Sequence, residues 1–453
     1  MTIDLNLHKI ETLIKKKDIL KVFDLIKATR KNYPYNNKLN KLIDKYKNNL
    51  QSIFKIKPKE IIKIFHENEP NSATLKLEKL LLIEPNNPML NATIGNLYGM
   101  QGQFIKAKKF HEKGVLYNPF EDMFYLNLSQ TLNKIGEYKR SLRMIMFAEI
   151  ISPFNYAIKI ETARAYYNVK ELDKSFLAYD SLIKENANNT ELKLEFCNKL
   201  INVKKTQKAN KILKTIKEND GLEQKLILEG LILFYENKFD EAFKLFSNIL
   251  KIEKNDCSLI YSYLALCCEA KSDYVKAETF HEKALKANPS NYSIIKNYGN
   301  YYYFIGKIDN AEQMYLKALN ENSFDFQARY NLSLIQLYKN NFEDGWNNFK
   351  YRWLSSTFNS KEKNLELPYF KNQEDQNKIL IWPESGIGDQ ILYSRFFKNI
   401  SLQNKKIFSI VNPKLLDLFK ESFPNIIFVK NLIKNDIHCH LPMGDLGKFY
   451  IKD

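Results

Sequence analysis

The sequence predicts a mainly α-helical chain: a helical repeat solenoid followed by a partial α/β half-domain of Rossmann-like topology. Two observations predict the solenoid. Pro85, Pro119 and Pro153 stand 34 residues apart, as do Pro289 and Ser323. Between these markers one pattern of small and large residues returns in phase. A third observation predicts the half-domain. Beyond Trp353 the 34-residue pattern stops, and short apolar runs alternate with helical ones.

The chain has 453 residues, 44% hydrophobic and 13% aromatic. That suffices for a core and argues against disorder. No stretch reaches the roughly 18 apolar residues of a membrane helix. The opening MTIDLNLHKIETLIKKK carries Asp4 and Glu11 and lacks the apolar run of a signal peptide, so the expected location is cytoplasmic. The five cysteines, Cys197, Cys257, Cys267, Cys268 and Cys439, show no CxxC spacing and read as reduced thiols. The net charge is +17 and the pI about 9.2. Nucleic acid is nevertheless not the expected partner. The cations are mostly single lysines, and no arginine cluster is present to grip phosphates.

Residues 1–57 read as a helical cap or decayed repeats, with Pro34 in a closing position. Residues 58–355 hold the array. One repeat places Gly95, Tyr98, Ala107, His111 and Gly114 before Pro119; the next places Ser129, Leu132, Ser141, Ile145 and Ala148 before Pro153. Ala163, Tyr166, Ser175 and Tyr179 follow. After one degenerate unit the pattern resumes from Gly230, Ala265, Gly299 and Ser333. Small residues let two antiparallel helices approach, and the large residue fills the groove. Proline ends the unit because it cannot continue a helix. The turn between helices shows in Gly102-Gln103-Phe104, Gly136-Glu137-Tyr138 and Gly306-Lys307-Ile308.

These residues resemble the tetratricopeptide-repeat (TPR) family. The resemblance implies a stacked solenoid whose concave groove takes a protein or peptide. Asn96, Asn127, Arg164 and Asn300 lie beside the packing residues and are candidates to face that groove, with solvated surface as the alternative. His111 and His281 occupy the large-residue slot and read as packing groups, not metal ligands.

Residues 356–377 are polar, contain Pro368 and read as a linker. Residues 378–453 alternate. KILIW (378–382), KIFSIV (406–411), NIIFV (425–429) and DIHCHL (436–441) read as strands; 390–400 and 413–423 read as helices, the latter opened by Pro413. The loop PESGIGD (383–389) joins the first strand to the first helix. Gly386 and Gly388 there would permit a tight turn and close backbone approach to an anion at the helix start.

The string IWPESGIGDQILYSRF, with FEDGWNNFKYRW (342–353) and DIHCHLPMGDL (436–446), resembles bacterial TPR glycosyltransferases. Those carry a GT-B-type domain akin to lipopolysaccharide heptosyltransferases and, more distantly, O-linked N-acetylglucosamine transferases. The resemblance implies sugar transfer from a nucleotide-sugar donor to a glycan or protein acceptor, without a metal or tightly bound cofactor. Asp389 matches the proposed catalytic base, with a plain helix cap as the alternative. Gly386, Gly388, Glu384 and Arg395 are the substrate-binding candidates. His438 and His440 share a strand face away from Cys439, which disfavours a zinc site. A GT-B enzyme needs a second, donor-binding half, which the sequence to Asp453 lacks. The expectation is either a piece of a longer enzyme or a shortened form, with an exposed sheet edge in the latter case.

Overall fold

The computed structural model describes residues 3–217, 220–252, 257–358, 360, 362–363, 365, 367–371, 378–401, 406–429 and 437–451. They form two compact units, divided between Gly221 and Leu222. That boundary falls inside the array expected over 58–355.

The first unit opens with α1 (Ile3–Lys15), α2 (Ile19–Asn32) and α3 (Asn37–Ser52), followed by α4 (Pro58–Glu67) and α5 (Pro70–Ile83). Helix pairs then repeat: α6 (Pro88–Met100) with α7 (Phe104–Tyr117), α8 (Asp122–Lys134) with α9 (Tyr138–Ile151), α10 (Tyr156–Asn168) with α11 (Leu172–Glu185), and α12 (Thr190–Asn202) with α13 (Thr206–Leu213). The first helices start 34 residues apart. Asn87, Asn155 and Asn189 cap three of them, each side chain accepting from backbone N–H groups of the first turn. The unit that looked degenerate, α12–α13, keeps the packing trio Cys197, Ala209 and Leu213, all fully buried. Only its second helix is cut short, to eight residues.

The small-to-large packing is literal. A methyl group added at Gly95 would lie 2.3 Å from the His111 ring, and one at Gly230 would lie 2.5 Å from Phe246. Where serines stand at the small-residue positions, they bond across the pair: Ser129 and Ser141 hydroxyls meet at 2.8 Å, and Ser175 Oγ–H donates to Ala163 O at 2.9 Å. The turn inside each pair needs a left-handed residue. Gly102, Gly136 and Gly306 supply it with φ of 74°, 80° and 78°. Lys170, Lys204, Asn237, Ser272 and Asn340 adopt the same conformation with φ near 60°.

Residues 1–57, expected as a helical cap or decayed repeats, are helical over most of their length. The first three helices pack across the second repeat pair. Val22, Phe23, Ile26, Leu39 and Ile43 share one core with Phe120, Tyr125, Ile145 and Ile151. Arg30 donates to the α9 carbonyls of Ile150 and Ile151 at 2.8 and 2.7 Å, satisfying the open end of that helix.

The second unit continues with α14 (Leu222–Tyr235) and α15 (Phe239–Ile252), α16 (Ser258–Ala270) and α17 (Tyr274–Ala287), α18 (Tyr292–Phe304) and α19 (Ile308–Glu321), and α20 (Phe326–Tyr338) and α21 (Phe342–Phe349). A 3-10 turn, Lys350–Leu354, extends α21. The α/β layer follows with β1 (Lys378–Trp382), α22 (Ile387–Ser394), α23 (Phe397–Ser401), β2 (Lys406–Ser409), α24 (Leu416–Ser422), β3 (Ile426–Phe428), β4 (Cys439–Pro442) and α25 (Leu446–Tyr450). The strands are all parallel in the order β3-β2-β1-β4. This is the Rossmann-like half expected from the alternation.

Its two faces differ. Ile379, Ile381, Ile407, Cys439 and Leu441 pack against Phe396, Phe397, Ile400, Phe419 and Leu446 of the helices. Leu380 and Phe408 on the other face meet Leu365 and Leu367, and Trp382 lies 5.6 Å from Trp353. The described residues of the expected linker therefore belong to the domain. His440 N–H donates to Pro368 O and Phe370 N–H donates to His440 O, so 368–370 covers the outer edge of β4. Among the described residues no helix is long and apolar enough to cross a membrane.

Candidate functional site

Within each unit, successive first helices touch one another: α6 meets α8, α8 meets α10, and α16 meets α18. These helices make the inner side of the stack, where a solenoid binds. In the first unit the inner face is a charged chain. Asn133 Nδ2–H donates to Glu161 at 2.6 Å, and Arg164 grips Glu195 through two bonds of 2.9 and 2.6 Å. Tyr179 O–H also donates to Glu195 at 2.6 Å, and Lys199 stands 3.8 Å from it. Burial raises the Glu161 carboxyl above its ordinary range, against the pull of Arg164. Burial works the same way on Glu195, but the bonds from Arg164 and Tyr179 outweigh it and hold that carboxyl low.

In the second unit amides and hydroxyls join the first helices, beside one ion pair, Lys296 with Asp325 at 3.1 Å. Asn297 Nδ2–H donates to Ser262 at 3.1 Å; Tyr315 O–H and Asn331 Nδ2–H both donate to Asn300 Oδ1 at 2.8 Å. The groove candidates are thus partly committed to the scaffold. Asn96 bonds the His111 ring at 3.0 Å, Arg164 and Asn300 tie neighbouring repeats, and Asn127 is half-buried. His111 and His281 fill large-residue slots, His281 stacked on Tyr298 at 5.0 Å. Among the described residues, no group of three or more His, Cys, Asp or Glu side chains could hold a metal.

The loop after β1 brings some of the predicted residues together. Gly386 precedes α22 and Asp389 lies in the helix's first turn; Gly386, Gly388 and Asp389 are exposed. Neither glycine needs the left-handed conformation. Gly386 has φ −63° and ψ 178°, and a methyl group at Gly388 would touch nothing within 4 Å. The expected tight turn is therefore corrected: at both positions the lack of a side chain leaves open surface. Asp389 follows the Gly386 cap by three residues, so it is not the helix cap itself. Arg395 is exposed, its guanidinium 4.7 Å from the Phe396 ring.

Glu384 departs from its expected role. It is buried and accepts from Arg352 Nη2–H at 2.7 Å through its Oε2, and the same Nη2 lies 2.7 Å from Asp445 Oδ1. Burial raises its carboxyl to about 7, against the pull of Arg352. His438 is exposed ahead of β4, whereas His440 is buried and accepts from Trp382 Nε1–H at 3.1 Å.

Sequence reasoning missed the supporting residues. Buried Gln390 ties the loop to the strand region beyond it, donating to Ser385 O at 3.1 Å and accepting from Asn412 N–H at 2.9 Å. Burial raises the hydroxyls of Tyr330 of α20 and Tyr393 of α22, and the nearby charges of Glu384, Arg352 and Asp389 act on both more weakly. Arg352 stood in the last repeat's final packing position, where an arginine is out of place. That mismatch was the available signal.

No family model matches the chain. It is similar to a TPR repeat-containing protein of Methanocaldococcus jannaschii, 22% identical over 288 residues, 63% of this chain and 47% of the relative. The chain thus spans about half the length of the curated relative it matches. It also resembles the crystal structure of a tetratricopeptide repeat protein from Parabacteroides merdae, at 16% identity and TM-score 0.45, over 55% of this chain and 98% of that one. The in-phase helix pairs and the glycine and serine contacts inside them give this chain a TPR-like helical solenoid, with a small parallel four-stranded sheet near its C-terminal end.

Proposed function

We propose that the protein is a protein-binding scaffold, holding a segment of another polypeptide on its inner helix faces. The observation that carries this reading is the polar ladder on successive first helices, charged through Glu161, Arg164 and Glu195 and uncharged through Asn297, Asn300 and Asn331. An amide offers both donors and an acceptor, so a ladder of amides suits an extended backbone. The setting proposed is cytoplasmic, where buried thiols such as Cys197 and Cys267, both pushed up to about 12 by burial, stay reduced. A displayed-peptide selection on the full chain tests it. Selected peptides should lose binding to an Asn300→Ala, Asn331→Ala variant and keep it when exposed Leu316 on α19 is changed to Ala. Equal binding to both variants would refute the groove.

A second reading is glycosyl transfer from a nucleotide sugar. Its support is the parallel sheet with exposed Asp389 at the carboxyl end of β1, near Tyr330 and Tyr393. Ligands of open α/β sheets bind at such ends. In this reading Asp389 takes the acceptor's proton, Gly386 and Gly388 leave room for substrate, and Arg395 faces a phosphate. Release of nucleoside diphosphate from a panel of nucleotide sugars should occur with the chain and vanish in Asp389→Asn. Release that persists in that variant removes Asp389 as the base.

A further inference from the structure

The strand order β3-β2-β1-β4 reverses direction between β1 and β4, and the crevice beyond their carboxyl ends is where an open α/β sheet takes a ligand. Here that crevice is filled from the repeats. Arg352, in the turn after α21, is fully buried, and its Nη2 lies 2.7 Å from both Glu384, just past β1, and Asp445, just past β4. Nη1–H donates to Phe349 O at 3.2 Å. The guanidinium carbon lies 4.3 Å from the Phe349 ring and 4.4 Å from that of Trp353. Tyr369 O–H holds the second carboxylate of the pair through Asp445.

Two carboxylates at hydrogen-bond distance, a carbonyl and flanking aromatic faces are what a planar, delocalised cation requires. The walls are cut to fit. A methyl group at Gly444 would overlap Glu384, and one at Gly447 would overlap Trp346 of α21 at 2.1 Å. We propose that the crevice between β1 and β4 is a guanidinium-binding site whose built-in ligand is Arg352, so that the last repeat plugs the sheet's ligand crevice and is fastened to it. The site stands whichever partner the inner face holds. It requires that a small-molecule ligand reach this crevice only after the 350–354 turn withdraws.

The chain's three tryptophans report on the site. Trp353 stacks under Arg352, Trp382 lies 5.6 Å from Trp353, and Trp346 packs on Gly447. In the full-length chain, Arg352→Ala should red-shift tryptophan emission, and millimolar methylguanidinium should return it toward the parent value. Tetramethylammonium at equal ionic strength, which has the charge but no N–H donors, should not. An unshifted Arg352→Ala spectrum, or equal recovery with both cations, would overturn the proposal. Should Arg352→Ala yield no folded protein, Glu384→Gln with Asp445→Asn is the second test. With the carboxylate charges gone and Arg352 kept, emission should shift red, and a parent-like spectrum would overturn the site.

Discussion

Lysine 170 sits in the turn between α10 and α11 with φ of 62°, where Gly102, Gly136 and Gly306 serve the equivalent turns. A left-handed L-residue costs about 1–2 kcal/mol, partly offset by the greater freedom glycine has in the unfolded chain. Lys170→Gly should therefore raise stability by about 0.5–1 kcal/mol in thermal unfolding; a loss of stability would contradict the strain. Two buried titrating groups give opposite pH dependences. His111 accepts from Thr131 at 3.0 Å and donates to Asn96 at 3.0 Å, and burial lowers it to about 4 from 6.5. Between those values the unfolded chain binds more protons, so the stability His111 contributes is complete above pH 6.5 and lost on acidification. Glu384 is raised to about 7 from 4.5, so there the folded chain holds the extra proton, and stability falls as pH rises through that window. Glu384→Gln should flatten the alkaline fall of a tryptophan-detected midpoint, and His111→Asn should flatten the acid fall of a circular-dichroism midpoint. An unchanged slope in either variant would contradict its assignment. At this scale the sequence revealed the packing slots, because glycine and a large partner recur in phase. It hid Glu384's role, because Arg352 is 32 residues away and belongs to the preceding repeat.

The helices α1–α3 show what periodicity does and does not reveal. Their amphipathic faces were legible, but not where they dock, because docking depends on apolar surface far along the chain. Phe23 is nearly fully buried and lies 4.9 Å from Phe147 and 5.9 Å from Tyr125. Phe23→Ala should cost about 3–5 kcal/mol and expose the first helices to proteolysis; a near-neutral effect would mean they do not depend on this core. The α12–α13 pair failed the sequence pattern because its second helix stops at Leu213, although its packing residues are intact. The half-domain's strands were readable from their apolar runs. That the residues before β1 cover the sheet's face and edge was not, since Leu365, Leu367 and Pro368 look like linker composition.

At the scale of the molecule, all three tryptophans lie in the second unit, whereas helices fill both. Circular dichroism and tryptophan emission should therefore give different unfolding midpoints, and coincident curves would mean one cooperative body. Most of the described helices belong to the repeat array, and the α/β layer is fastened to its last turn through Arg352. The most direct measurement is hydrogen exchange of the full chain with and without a peptide from the displayed selection. Protection concentrated on first helices, α8, α10 and α12 or α16, α18 and α20, is the predicted result. Protection confined to the second helices, or to 383–389 alone, would contradict a scaffold that binds on its inner face.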